Sequence, residues 1–239
     1  TSKTVTVNTT TDNKVEADET FTATLGGLSA GGRDVIISGA NGSATGTITN
    51  DDQGVFSIAN ASATEGGGVT FTISLSKPAD VATSVTFTTS DGTATTGDSD
   101  YTAISAQTVN FAAGDTSKTV TVNTTTDNKV EANETFTATL GGLNAGGRNV
   151  IISGANGSAT GTINNDDQGI FSIAAASATE GSGVMFTISL SQAADAATSV
   201  TFTTSNGTAT TGDSDYTAIS GQTVNFAAGD TSKTVTVNT

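Results

Sequence analysis

The chain repeats itself. Thr1-Ser2-Lys3-Thr4-Val5-Thr6-Val7-Asn8-Thr9 returns at Thr116 and again at Thr231, a period of 115 residues. Residues 1–52 differ from 116–167 at only four positions: Asp18/Asn133, Ser29/Asn144, Asp34/Asn149 and Thr49/Asn164. Residues 53–115 differ from 168–230 at nine. A unit of this length is too long for one rung of a solenoid, which takes roughly 20–45 residues. It suits one β-sandwich of about 100 residues. The chain divides into 1–52, the C-terminal part of a repeat; 53–167, a complete repeat; and 168–239, the N-terminal part of the next.

Inside the complete repeat the hydrophobic pattern has period two. Val69, Phe71, Ile73 and Leu75 alternate with Thr70, Thr72 and Ser74. The same alternation marks Val55–Ile58, Val85/Phe87, Val109/Phe111, Val120/Val122, Phe136/Ala138/Leu140 and Ala159/Gly161/Ile163. Seven half-buried strands predict an all-β fold of tandem seven-stranded immunoglobulin-like β-sandwiches. Gly141-Gly142 and Gly146-Gly147 read as turns, and Val150-Ile151-Ile152 as a short extra strand. The joints Asn50–Gly54 and Asn165–Gly169 are so short that neighbouring sandwiches must sit end to end.

Charge narrows the partners. The net charge is −15, which argues against nucleic acid or anionic lipid as partners, since both need basic patches. No run is apolar and long enough for membrane insertion of this segment as a helix. With no His or Cys, and with neither a nucleophile elbow nor a phosphate loop, nothing points to an enzyme. The charge concentrates instead in Asp127-Asn128-Lys129-Val130-Glu131-Ala132-Asn133-Glu134, between two strand-like runs. Asp127, Glu131 and Glu134 gathered at a strand end repel one another unless a cation sits among them. Calcium takes six to eight oxygen ligands, which carboxylates, carbonyls and Asn side chains supply. The same residues also describe a solvated acidic loop, with Asp-Asn as turn formers.

Five motifs in order resemble the Calx-beta family, immunoglobulin-like repeats of sodium–calcium exchangers and of large bacterial surface proteins. They are Ala63-Thr64-Glu65-Gly66, Ser90–Ala94 with Gly97-Asp98-Ser99-Asp100-Tyr101, Phe111–Asp115, Val130–Phe136, and Gly161–Asp167. The resemblance spans the chain, once completely and twice in part. It implies Ca2+ bound at one pole by Glu65, Asp100, Asp127, Glu131, Glu134, Asp166 and Asp167. The repeat carries this set onto Asp12, Glu16, Glu19, Asp51 and Asp52 in the first part, and onto Glu180 and Asp215 in the last. Asn128 and Asn165 stand where acidic members of the family often have further Asp, which implies fewer ions or weaker binding. Asp98 reads as a turn residue.

Near-identical tandem copies suit a spacer. The expected function is a structural calcium-binding segment of a long extracellular surface protein, secreted or held at the cell surface, such as an adhesin stalk or filament. The alternative is a regulatory calcium-sensing domain. The expected partners are neighbouring repeats, head to tail. The strands of 168–239 and of 10–52 together make up one whole unit, so the tail of one copy is expected to be completed by the head of the next.

Overall fold

The computed structural model describes all 239 residues and contains strands but no helix. The first part of the chain holds one hairpin, β1 (Glu19–Thr24) against β2 (Ser43–Ile48). The complete repeat contributes β3 (Gly54–Ile58), β4 (Ala61–Thr64), β5 (Val69–Leu75), β6 (Thr83–Ser90), β7 (Gln107–Phe111), β8 (Ser117–Val122), β9 (Glu134–Asn144), β10 (Val150–Ile152) and β11 (Ser158–Asn164). The last part adds β12 (Phe171–Ile173), β13 (Val184–Leu190), β14 (Thr198–Phe202), β15 (Gln222–Phe226) and β16 (Ser232–Val237).

In the complete repeat two sheets face each other, one ordered β10-β3-β5-β8 and the other β4-β11-β9-β6-β7. All seven runs read from the alternation are strands, and two more join them. The opening strand breaks after Ile58. β3 stays in the first sheet, parallel to β10, while β4 crosses to the second, parallel to β11. Asn60 stands at the crossing, where its Oδ1 accepts the Thr160 N–H at 2.8 Å. β10 is the extra strand expected at Val150–Ile152.

Gly141-Gly142 corrects a sequence expectation. It is not a turn but lies inside β9, at a bulge opposite Ser84–Thr86. Gly142 has φ of +49°, and a Cβ there would come within 2.7 Å of Thr86. Glycine at this point bends the strand rather than ending it. Gly146-Gly147 does form a turn.

The alternating apolar residues fill the space between the sheets. Phe56, Phe71, Phe87, Phe111 and Phe136 are fully buried. Phe71 lies 5.6 Å from Phe87 and 5.9 Å from Phe136, and Tyr101 stacks on Phe136 at 4.5 Å. Each buried phenylalanine adds about 2–3 kcal/mol of hydrophobic stabilisation. Each aromatic pair adds about 1 kcal/mol more. The Phe136 ring lies flat against Gly161, where any Cβ would come within 2.4 Å of the ring. The core therefore fixes the end of β9, and with it the acidic run that leads into β9.

The same sequence behaves differently where its partners are missing. Residues 117–122 pair with β5 and bury Val120 and Val122. Their copy at Ser2–Val7 forms no strand and leaves Val5 and Val7 exposed. The last part does not close a sandwich from its own strands. It forms separate sheets of three strands and of two, with a groove open along Phe171, Ile173, Ile188, Val200 and Phe202.

Successive repeats dock through the acidic loop itself. The Val15 N–H donates to Pro78 O at 2.9 Å, and Val15 O accepts from the Asp80 N–H at 3.1 Å. Val130 repeats this bridge with Ala193 and Asp195, at 2.8 and 3.1 Å. Val15 is fully buried among the core residues of the following repeat. At the same joint Arg148 holds Asp80 by two hydrogen bonds, 2.6 and 2.8 Å. Val15→Ala should therefore destabilise the complete repeat from outside its own sequence, by about 2 kcal/mol. Denaturant unfolding checks this, and an unchanged midpoint would show that the joint carries no stability.

Candidate metal centre

Four separate stretches reach the pole of the sandwich next to the second joint. They are the turn after β4, the loop between β6 and β7, the loop between β8 and β9, and the tail of β11. Glu65 and Gly66 begin the first. Gly66 has φ of +69°, and a Cβ would strike Thr126 at 2.1 Å. Only glycine allows the acidic loop to approach Glu65 this closely. The Glu65 N–H donates to Asn164 O at 3.2 Å, which ties this turn to the end of β11.

The second stretch is set by Asp91. Its Oδ1 accepts the Tyr101 hydroxyl at 2.7 Å and the Thr96 N–H at 3.2 Å. The donated hydroxyl holds the Asp91 carboxyl below its ordinary value. Burial, and then Asp91, push the Tyr101 hydroxyl up to about 12. With the loop folded this way, Asp100 Oδ2 accepts the Thr95 N–H at 2.6 Å, and Asp100 O accepts the Thr125 N–H at 3.0 Å. Asp98 lies in the turn, where it accepts from the Thr95 hydroxyl at 3.2 Å.

The third and fourth stretches are laced together by one amide. Asn165 Oδ1 accepts the Glu131 N–H at 3.1 Å, and Asn165 Nδ2 donates to Asp167 O at 2.9 Å. Asn165 N–H donates to Asn133 Oδ1 at 3.1 Å. An aspartate could accept but not donate in this place. Asn165 thus holds the loop that carries the acids. Asn50 does the same in the first repeat, accepting from Glu16 N–H and donating to Asp52 O.

The result is two triads. Glu65, Asp127 and Asp167 bring one carboxylate oxygen each within 4.8 Å of one another, and so do Asp100, Glu131 and Glu134. Between them lies a cavity of about 10 Å³, floored by Ile163, with room for a single water-sized sphere. Burial pushes the Glu65 carboxyl up to about 7, helped by the charges of Asp127 and Glu131. Burial likewise pushes Glu134 up to about 7, followed by the charge of Asp100 and a hydrogen bond shared with it. Lys129 partly relieves the crowding by pairing with Glu131. Two buried carboxylate oxygens remain without a partner, Glu65 Oε2 and Asp167 Oδ2.

This donor set fits a hard divalent cation. All six groups are carboxylates, brought together from four stretches of chain, with no imidazole or thiolate. The buried orphan oxygens are the groups a cation would satisfy. Of the sequence-predicted residues, Asp166 stays outside both triads, exposed, and lends only its charge to Glu65. In the first part, Asp12, Glu16, Glu19, Asp51 and Asp52 line an open pocket of about 270 Å³ and form no triad. Lys14 pairs with Glu16 at 2.7 Å, and Lys77 takes Asp52. In the last part Glu180 and Asp215 are exposed, with no copy of the 127–134 loop to meet them. Sequence reasoning missed Asn165, Asn133 and the Asp91–Tyr101 pair. The Asn at position 165 was the available signal, since it breaks an otherwise acidic run.

The family model described as Calx-beta domain matches residues 1–53, 49–167 and 164–239. Comparison with curated proteins returns no significant match. Among solved structures, the chain is similar to CBD12 from CALX1.2, with 22% identity over 77% of this chain and 74% of that one and a TM-score of 0.43. It is also similar to the apo-form Calx CBD1 domain, with 20% identity over 48% of this chain and all of that one and a TM-score of 0.42. A third is the calcium binding domain CBD12 of CALX1.1, with 22% identity over 74% and 71% and a TM-score of 0.41.

The raised carboxyls give the pole a pH signature. Glu65 and Glu134 have folded values near 7, above the unfolded value near 4.3. Their protonation stabilises the fold fully below pH ~4.3, and that contribution is lost as pH rises through ~7. Asp80, Asp115 and Asp230 are shifted the other way, and their contribution is lost only in more acid solution. Cation-free protein should therefore melt higher at pH ~5.5 than at pH ~8, and Glu65→Gln with Glu134→Gln should flatten the profile. A wild-type melting point constant across this window would contradict the crowding.

Proposed function

The chain belongs to the Calx-beta family along its whole length, and we propose that its repeats are calcium-stabilised struts of a long extracellular surface protein. The observation that carries the cation is the pair of carboxylate triads, one of which holds two buried, unpartnered carboxylate oxygens. Glu65, Asp100, Asp127, Glu131, Glu134 and Asp167 would hold the ion or ions. A bound divalent cation supplies the positive charge that lets loops distant in sequence share one pole. The rest falls to the chain itself. Asn165 holds the loop in place, Tyr101 and Asp91 fix Asp100, and Ile163 closes the floor.

Near-identity of the copies supports a structural role over a sensing one. A sensor needs one responsive site, whereas a strut gains length from every added unit. Docking by Val15 and Val130 makes each joint part of the next repeat, as a stiff array requires. The partners on this reading are neighbouring repeats, head to tail, and the location is outside the cell.

Calcium should bind with Kd on the order of 10⁻⁴–10⁻³ M, as in extracellular modules. At about 100 times Kd it should add roughly 2.7 kcal/mol per site. Calorimetric titration and melting in excess chelator check this. Glu134→Gln should cut both the heat and the chelator effect. Equal melting curves with calcium and with chelator, and no heat above that of Glu134→Gln, would refute the reading.

A further inference from the structure

The repeats are nearly identical, yet they differ at the residue that meets the last aspartate of the preceding repeat. At the first joint that residue is Lys77, and its ammonium sits against Asp52 Oδ1. The Asp52 side chain is only 9% exposed, while the Lys77 side chain stays 34% exposed, so the carboxylate, not the lysine, is withdrawn from water. One period later the residue is Gln192. Its amide N–H donates to Asp167 Oδ1 at 2.8 Å, while Asp167 Oδ2 is buried without a partner. The same Asp167 belongs to the triad with Glu65 and Asp127.

A lysine brings a full positive charge to this carboxylate, whereas a glutamine brings only a dipole. In a half-buried setting that difference is felt well beyond the hydrogen bond itself. We infer that the following repeat, through this position, sets how strongly the pole of the preceding repeat demands a divalent cation. Lysine supplies part of the needed charge from within the chain. Glutamine leaves that charge to be supplied by an ion. The joints of an array then fall into two kinds, one internally neutralised and one dependent on dissolved cation. This rests on the cation reading of the pole and adds to it a tuning residue that lies in the next repeat, outside the ligand set.

Gln192→Lys and Gln192→Met in the whole chain separate charge from packing. Calcium binding, read by titration calorimetry, should weaken on the order of tenfold in Gln192→Lys. It should stay within about twofold of wild type in Gln192→Met. In chelator, Gln192→Lys should melt above both other proteins, because the ammonium now satisfies Asp167. The inference is overturned if Gln192→Lys binds calcium as wild type does, or if Gln192→Met weakens binding equally. Wild-type protein giving no calcium heat would sink the cation reading instead. The chelator melts still decide the charge role in that case: Gln192→Lys no higher than Gln192→Met overturns it, and a higher midpoint keeps it.

Discussion

Carboxylates crowded at a partly buried pole repel one another, and the architecture at this end of the sandwich answers that repulsion. Six acids reach the pole from four stretches of chain. Lys129 offsets one of them, and burial raises two others into the neutral range. The loops would fly apart if only their own turns held them. They are held instead by neutral groups that carry no charge into the cluster. Asn165 bridges the acidic loop to the β11 tail, and the Tyr101 hydroxyl steadies the Asp100 loop through Asp91. Tyr101 in turn stacks on Phe136, so the pole hangs from the aromatic core.

The acidic loop has a second task. Val130 sits between Lys129 and Glu131 and forms the bridge to the following repeat. One short segment thus carries acids on both sides of a valine and docks through the valine itself. A change in the loop is felt in the joint, and the reverse. This economy explains why the connecting segments can be so short. The joint is not a tether between two finished domains, since Val15 is part of the core it docks on.

Much of this was legible in the chain. Alternation placed every strand whose one face is buried, because period two is a local property of sequence. The six acids that converge were all named from motif and repeat. What stayed hidden depends on partners that lie far along the chain. β4 has weak alternation and exists because β11 lies beside it. Gly141-Gly142 carries a turn composition, yet packing against Thr86 makes it a bulge. Asn165 looked like a lost ligand, and only its three hydrogen bonds show it to be a brace. Val5 and Val7 have the sequence of a buried strand and are exposed, because β-structure needs the neighbouring strand as much as the pattern.

The account stands on ions between these carboxylates. Crystals grown in calcium, with data collected to bring out anomalous scattering, test it most directly. Peaks are predicted between Asp100, Glu131 and Glu134, and between Glu65, Asp127 and Asp167. A map with no peak at either triad, in protein crystallised at calcium well above the expected Kd, would contradict it.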